Sequence, residues 1–404
     1  MKKLGIYGGT FSPIHYGHIN AAKTFYDALS LDELLIMPTF ISPHKEVNEL
    51  IDPALRLEMA ALALEGEDRN IKISDYEISK GGTSYTYLTL QHFSSPDTEL
   101  YFLMGSDMLL SLDKWRNPDI ISSLCTVVLI RRENDEQVAD KLEKAKEYLK
   151  CKYGTKIIEI SCKPIEMASK DIRAAINAGD DISRFVPKAV ASLIKDNRLY
   201  LSDPLYAQIK KLVPKKRLRH IFGTEDQALE LASIFDLDRE MTEKVRVAAI
   251  LHDITKYYTA TEHMDYLESL GVELDADTLE SEKTMHQLSG AYKARELFSD
   301  RVDDTVFNAI RYHTTGRADM TLSEKIIYLS DYIEPTRTFS DCVKLREYFY
   351  NGIKSGEDKY SVLLSTLITS FEMTVNDLIS QGKKVHRDTT EAMEYLKKEK
   401  ENVR

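Results

Sequence analysis

The sequence predicts an α/β doubly wound parallel sheet over its first half and an all-α domain over its second. Three observations carry this reading. From Leu4 to about residue 200, short apolar runs alternate with segments of helical periodicity, the pattern of parallel strands joined by right-handed helical crossovers. After Ser202 the strand signals stop and only helical periodicity remains. A chain of 404 residues is also long enough for two cores. The boundary is therefore placed near residue 203, with domains at 1–202 and 203–404.

The first strand is Leu4 to Tyr7. It runs into GGTFSPIHYGH, Gly8 to His18, after which Ile19, Ala22, Phe25, Tyr26 and Leu29 recur at helical spacing. A strand-to-helix turn leaves free N–H groups at the helix start, where the dipole adds positive charge, so the turn suits phosphate. Gly8 and Gly9 let the backbone approach an anion and adopt positive φ where needed. His15 and His18 lie three apart and share a helix face, so both imidazoles can steady charge developing on one phosphate. Two histidines merely satisfied at a helix start are the plainer alternative. Zinc fits less well, since no third ligand lies nearby.

Next come a strand at Glu33 to Met37 and a polar loop carrying SPHK, Ser42 to Lys45. His44 and Lys45 are either a solvated pair or within reach of a triphosphate. Asp52 and Pro53 read as N-cap and first residue of a helix with Arg56, Met59, Ala60 and Ala63. Alternation predicts a strand over Ile71 to Ile78, and GGTSYTYLTL, Gly81 to Leu90, reads as a turn entering a helix. The strand Leu100 to Met104 ends at Gly105, Ser106 and Asp107, on the sheet edge where ligands bind in open parallel sheets. Trp115, the single tryptophan, reads from position alone as core. A strand at Cys125 to Ile130, a helix at 136–149, a strand at Lys156 to Ile160 and a helix opened by SKDIR, Ser169 to Arg173, follow. A capping box is the plain account of SKDIR.

Composition narrows the class. Apolar content of 43% and charged content of 29% describe an ordinary soluble protein, and the net charge of -11 argues against a nucleic-acid binder. Four cysteines, at 125, 151, 162 and 342, form no CxxC pair and suit a reducing cytosol. The N-terminus is not a signal peptide, and no apolar segment is expected to reach the length of a membrane span. A cytoplasmic location is expected, with no nucleic-acid or membrane partner, and a homo-oligomer is left open.

Gly8 to His18 resembles the HxGH signature of the nucleotidylyltransferase superfamily. With GGTFxPIHxGH, PxxxxPHK, SYTYxTL, FLMGSDMLxxLxxWR, the SxxxIR helix start and VPKAVASLIKDNRLY, the first 200 residues closely resemble bacterial nicotinate-nucleotide adenylyltransferase. The resemblance implies a Rossmann-like fold and the reaction of ATP, with Mg²⁺, and nicotinate mononucleotide to the deamido dinucleotide and pyrophosphate. It assigns His15, His18, Lys45 and Arg173 to the ATP phosphates, with Ser169 beside them. Gly8, Gly9, Thr10, Phe11, Gly105 and Asp107 fall at the nucleotide, and Thr86 and Trp115 at the nicotinate, which makes Trp115 a stacking surface. Two positions depart from the family. Ser12 stands where Asp or Asn is common and is expected still to cap the turn; Lys170 stands where a second hydroxyl is usual. The amidated mononucleotide or another acceptor, such as phosphopantetheine, remains an alternative, the latter disfavoured by the SYT and WR segments.

In the second half, Pro204 and Pro214 bracket a short helix, and the basic run Lys215, Lys216, Arg217, Arg219 reads as a solvated hinge rather than the alternative, a nucleic-acid patch. Helical periodicity then recurs near 221–235, 242–253, 261–270, 284–298, 303–313, 322–333 and 341–351, with a long pair near 357–381 and 387–400. The last helix, rich in Lys and Glu, is expected to pack loosely. His220, His252, Asp253, His286, His313 and Asp331 are spread over several of these segments. Neighbours on a helix diverge by about 100°, so His252 and Asp253 can meet one ion from different sides. Mixed imidazole and carboxylate ligands fit Fe, Mn or Zn better than Mg, and two ions could clamp a phosphate and activate a water. Lys256, one turn on, is either a solvated helix end or a phosphate contact.

The order H, HD, H, H, D resembles the HD-domain phosphohydrolases with room for two metals. RLRHIFGT, LHDITK, MHQLSGAYKA, AIRYHTTG and IIYLSDYIEPTR are similar to the YqeK-type HD hydrolases, over about 205–390. That family implies two divalent metals, Fe or Mn, on His220, His252, Asp253, His286, His313 and Asp331, with Asp253 and Lys256 catalytic. It also implies symmetrical cleavage of diadenosine tetraphosphate to two ADP. The alternatives are a nucleotide-sensing regulatory module and a hydrolase of another nucleotide.

Overall fold

β1 (Lys2–Gly9), β2 (Glu33–Pro38), β3 (Ile71–Ile73), β4 (Thr98–Gly105), β5 (Cys125–Arg131) and β6 (Lys156–Ser161) form one parallel sheet in the order β3-β2-β1-β4-β5-β6. The computed structural model describes residues 1–43, 51–131, 139–163 and 168–402, apart from the side chains of 282 and 283. Its contacts divide the chain into two units, Met1–Ser202 and Asp203–Arg404.

In the first unit the sheet is covered by α1 (Tyr16–Leu29), α2 (Pro53–Ala63), α3 (Tyr76–Lys80), α4 (Thr86–Phe93), α5 (Ser106–Ser111), α6 (Pro118–Leu124), α7 (Ala139–Tyr153), α8 (Ser169–Ala178) and α9 (Lys188–Asp196). Successive strand side chains point to opposite faces. Leu34, Ile36, Leu103 and Val128 join Phe25, Ile172 and Val190 in one core. Leu35, Met37, Phe102, Met104, Val127 and Leu129 join Leu112, Leu142 and Leu149 in the other. Burial on both faces is why these strands read as continuous apolar runs. The strand order reverses between β1 and β4, so a crevice opens beyond their carboxyl ends.

The strand expected over Ile71 to Ile78 stops at Ile73. β3 pairs with β2 for three residues. The chain then turns into α3, whose Glu77 is buried under a hydrogen bond from Thr89 Oγ1 at 2.6 Å and whose Tyr76 ring stacks 3.9 Å from His92. Those tertiary partners, not the local alternation, decide the segment.

The second unit is helical: α10 (Pro204–Leu212), α11 (Lys215–Ile234), α12 (Arg239–Leu251), α13 (Ala260–Ser269), α14 (Ala276–Glu280), α15 (Glu282–Leu297), α16 (Asp304–Arg311), α17 (Leu322–Ile333), α18 (Ser340–Lys354), α19 (Lys359–Ser380) and α20 (Arg387–Asn402). α17 is buried all round from Ser323 to Ser330, which marks it as the central helix. Its buried Lys325 pairs with Glu399 of α20 at 2.7 Å and with the Tyr360 hydroxyl at 2.8 Å.

Three expectations are corrected here. The basic run is no hinge: Lys215 to Arg219 form the opening of α11. The final helix is not loose, because Ala392 and Leu396 are fully buried and Glu399 holds Lys325. α19 is, by length and composition, apolar enough to cross a membrane, contrary to the sequence reading. Val362, Leu363, Leu364, Leu367 and Phe371 are buried in this unit's core, with Phe371 stacked 4.5 Å from Tyr328.

Candidate functional site

The crevice of the first unit is a cleft of about 960 Å³, at the upper end of small-molecule sites. Its lining includes Gly8, Gly9, Thr10, Phe11 and His18 from the end of β1 and the start of α1. Thr86 comes from α4, and Gly105, Asp107 and Trp115 come from the end of β4 and beyond.

The turn after β1 does not use the positive φ that Gly8 and Gly9 would allow. Neither Gly8 nor Gly9 has one; Phe11 does, at φ 48°. Its ring folds back, so a Cβ on Gly9 would lie 2.9 Å from it. Gly9 is therefore a matter of close approach. Phe11 is buried, edge-on to the His18 ring at 5.1 Å, and so supports the imidazole from below.

His15 caps α1. Its Nδ1 accepts from Gly17 N at 3.1 Å, while His18 Nδ1 accepts from His15 N at 3.3 Å. These reciprocal bonds hold the two rings 3.8 Å apart at the positive end of α1. Arg173 and Ser169, from α8, brace the same turn: Arg173 Nη1 donates to Ser12 O at 2.8 Å and Ser169 Oγ to Pro13 O at 3.0 Å. Among the described residues the Ser12 hydroxyl makes no bond that caps the turn, the role expected of it. Its hydroxyl lies 3.1 Å from the Tyr200 hydroxyl. Trp115 is half-buried: it lies edge-on to Phe102 at 6.5 Å, ties Nε1 to Ser111 Oγ at 3.2 Å, and lines the cleft. Lys45 lies outside the described residues.

By sequence, Arg56 is a residue of the helix that Pro53 opens. It is fully buried, donating to Thr10 O at 2.9 Å and Phe40 O at 3.0 Å. One guanidinium thus ties the loop after β1 to the loop after β2. The sequence signal was a charged residue at a position α2 turns inward, but periodicity does not distinguish a buried arginine from an exposed one.

In the second unit, His220 of α11, His252 and Asp253 after α12, His286 of α15, His313 after α16 and Asp331 of α17 converge. Two overlapping groups, His220–His252–Asp331 and His252–Asp253–His313, keep their ligand atoms within 4.8 Å of one another. Asp253 stands between two pairs of imidazoles. Its Oδ2 is 3.4 Å from His252 Nε2 and 3.7 Å from His220 Nε2; its Oδ1 is 3.3 Å from His286 Nε2 and 3.8 Å from His313 Nε2. Lys256 Nζ lies 3.0 Å from His286 Nε2.

These residues fit divalent ions on their own chemistry. His252 Nδ1 and His313 Nδ1 each donate to a backbone carbonyl, of Ala249 and Ile310, at 2.7 Å, which turns the Nε2 lone pairs into the cluster. There Nε2 atoms face each other at 3.2 Å (His220 and His252) and 3.0 Å (His286 and His313). Asp253 Oδ1 is buried and has no hydrogen-bond partner among the described residues, a costly state that a cation would relieve.

The protonation states agree for the carboxylates and for His313, whereas at His220, against its burial, Asp331 and Glu334 raise the pKa. Burial pushes the Asp253 carboxyl up, but the charge of His252 and Lys256 holds it well below the usual carboxylate range. Burial likewise opposes Asp331, and Arg337 and His220 bring it well below. Burial, with His286 and His252 adding to it, drives His313 well below the imidazole range. Ionised carboxylate and neutral imidazole are the ligating forms.

Three residues escaped the sequence reading as site members. Glu334 Oε1 lies 3.1 Å from His220 Nδ1 and orients that ring. Arg217 bonds Asp253 Oδ2 through Nε at 2.6 Å and through Nη2, and Arg337 Nη2 bonds Asp331 Oδ1 at 2.6 Å. All three sat in quoted motifs, RLRHIFGT and IEPTR, whose spelling does not reveal which side chains turn inward.

Residues 6–175 match the cytidylyltransferase-like family model, and residues 217–336 match the HD domain model. A Clostridium botulinum protein described as a probable nicotinate-nucleotide adenylyltransferase is 43% identical over 203 residues, 50% of this chain and 100% of that protein. A Clostridium acetobutylicum protein of the same description is 42% identical over 205 residues, again 50% and 100%. A solved structure from Clostridium acetobutylicum, described as a "predicted HD superfamily hydrolase involved in NAD metabolism", is 34% identical. It covers 49% of this chain and 97% of that one, with a TM-score of 0.43.

Proposed function

We propose, from the premise that the chain belongs over its first half to the nicotinate-nucleotide adenylyltransferase family and carries an HD domain in its second, that it is an enzyme with two separate activities. In the first, the phosphate of nicotinate mononucleotide attacks the α-phosphorus of ATP in line. The bond to the bridging oxygen breaks and pyrophosphate leaves, giving the deamido dinucleotide. His15, His18 and the N-terminus of α1 would meet the negative charge that builds on the transferring phosphate, with Lys45, Ser169 and Arg173 beside them and Mg²⁺ carried in with ATP. Thr86 and Trp115 would hold the pyridine ring. The observation that supports this is the cleft at the strand-order reversal, with His18, Gly8 and Gly105 on its wall.

The second activity is hydrolysis of diadenosine tetraphosphate. One water adds to a central phosphorus, the bridging P–O bond breaks, and two ADP and a proton are released. His220, His252, Asp253, His286, His313 and Asp331 would hold two divalent ions, Fe or Mn. When bound, those ions supply charge neutralisation at phosphate and a more acidic water. Asp253 joins the two sets of imidazoles, Glu334 fixes His220, and Lys256 would contact a phosphate oxygen. The observation that supports this half is Asp253 Oδ1, buried without a hydrogen-bond partner among the described residues and lying between two imidazole nitrogens. The four free cysteines accord with a cytoplasmic enzyme.

The test is one preparation assayed twice. Incubation with ATP and nicotinate mononucleotide is expected to give the dinucleotide and pyrophosphate. Mn²⁺-loaded protein with diadenosine tetraphosphate is expected to give two ADP by ion-exchange chromatography. AMP with ATP as products, or binding without turnover, would replace the second half of the reading with asymmetric cleavage or nucleotide sensing.

A further inference from the structure

We infer that Thr255 and Gln287 are positioning residues for one end of the imidazole cluster: they hold His286 and His313 against Asp253, so that this end can lose its ion while the end at His220, His252 and Asp331 keeps its own. This rests on the metal-centre reading above.

The two ends are built on different backbone. His220 lies within α11 and Asp331 within α17, and His252 caps α12 while still in helical conformation, at φ -53° and ψ -34°. Helices therefore carry that end. At the other end His286 lies within α15, but His313 falls beyond the end of α16, where its own N–H reaches Ile310 O only at 3.5 Å. Helical hydrogen bonding does not fix His313. Nor does it fix α15 against the turn that carries Asp253.

Gln287 does the first. It is buried directly after His286; its Oε1 accepts from Thr314 N at 3.0 Å and from Thr315 N at 3.1 Å, and its Nε2 donates to Thr315 Oγ1 at 2.9 Å. One amide thus grips the two residues that follow His313. Thr315 Oγ1 passes its own hydrogen to Gly316 O at 2.9 Å.

Thr255 does the second. Fully buried two residues after Asp253, its hydroxyl donates to His286 O at 2.9 Å. The Ser289 hydroxyl is 2.8 Å from Thr255 Oγ1 and 3.5 Å from that same carbonyl, so its hydrogen goes to Thr255. His263 Nδ1, 2.7 Å from Ser289 Oγ, is left to donate to Ser289. The donors run one way, from α13 through α15 and Thr255 to the backbone of His286. α15 comes this close because residue 290 is glycine: a Cβ there would lie 3.3 Å from Thr255 Oγ1 and 3.4 Å from His252 O.

Buried hydroxyls and amides need partners wherever they lie. What marks these is where their bonds end, on the backbone of His286 and on the two residues after His313. The Nε2 atoms of that pair are 3.0 Å apart and lie 3.3 and 3.8 Å from Asp253 Oδ1. Metal–ligand distances hold to about 0.2 Å, so a small shift of either backbone is enough to spoil this end.

The full chain is stripped with a chelator, and its uptake of Mn²⁺ is followed by calorimetry and elemental analysis, with a thermal melt of the metal-free form beside them. Thr255→Val and Gln287→Met should each weaken one ion about 10–100-fold and leave the other unchanged, so that the dialysed protein holds one ion where the unaltered chain holds two. Thr255→Ser, which keeps the hydroxyl, should hold both. Should either Thr255→Val or Gln287→Met not fold, the other decides. Variants that melt lower yet bind both ions like the unaltered chain, or that weaken both ions alike, overturn the inference. So does loss of the ion in Thr255→Ser. An unaltered chain that takes up fewer than two ions overturns the metal-centre reading and the inference with it.

Discussion

The two candidate sites solve opposite electrostatic problems. At the sheet edge of the first unit, the helix N-terminus and the His18 imidazole face a cleft, with the buried His15 ring 3.8 Å behind His18. Such a site takes an anion as it stands. In the second unit, buried Asp253 and half-buried Asp331 are ionised among inward-turned imidazoles, so the cluster must take cations before it can take phosphate. The first can be built from one contiguous turn, because strand ends and helix starts supply donors for free. The second needs side chains from five places in the helical unit, because ligands must surround an ion.

If the contrast is right, single substitutions should separate the two activities, beginning with the most damaging. Asp253→Ala should lower hydrolysis by 10³-fold or more, to order of magnitude, with dinucleotide synthesis unchanged. His18→Ala should lower synthesis by about 10²–10³-fold and leave hydrolysis intact. Loss of both activities in either soluble variant would contradict independent sites.

Arg56→Met probes the first site's scaffold. Removing a buried guanidinium that binds the Thr10 and Phe40 carbonyls should cost about 2–4 kcal/mol in a denaturant titration of the first unit. Glu334→Gln probes the second site's support, and Mn²⁺ affinity by equilibrium dialysis should fall about 10–100-fold.

The mildest effect is on acid stability. Burial lowers the His263 pKa to about 4, with the charge of His286 and Lys256 adding to it against Glu262, and the ring lies 2.7 Å from Ser289 Oγ. The folded state therefore refuses a proton that the unfolded state accepts below about 6.5. Stability should be lost as pH falls from about 6.5 towards 4, and His263→Asn should flatten that slope in thermal melts.

The same contrast explains what was legible in the sequence. Strand, turn and paired histidines of the first site lie within Gly8 to His18, where local rules for turns and helix starts apply. The six imidazole and carboxylate positions of the second site stood out as residue types across more than a hundred positions, and the family resemblance grouped them. What stayed hidden depends on tertiary burial. Arg56 looks like any helix arginine, and Arg217 looks like part of a solvated run until α11 turns it onto Asp253. The strand expected past Ile73 failed for the same reason, since Thr89 and His92 capture Glu77 and Tyr76 from elsewhere in the chain.

The most direct test of the central claim is the metal stoichiometry of the purified full chain, read by elemental analysis after dialysis against Mn²⁺. The account predicts two tightly held ions per chain, lost in Asp253→Ala and retained in His18→Ala. An unaltered chain that holds no ion, or ions that survive Asp253→Ala, would contradict it.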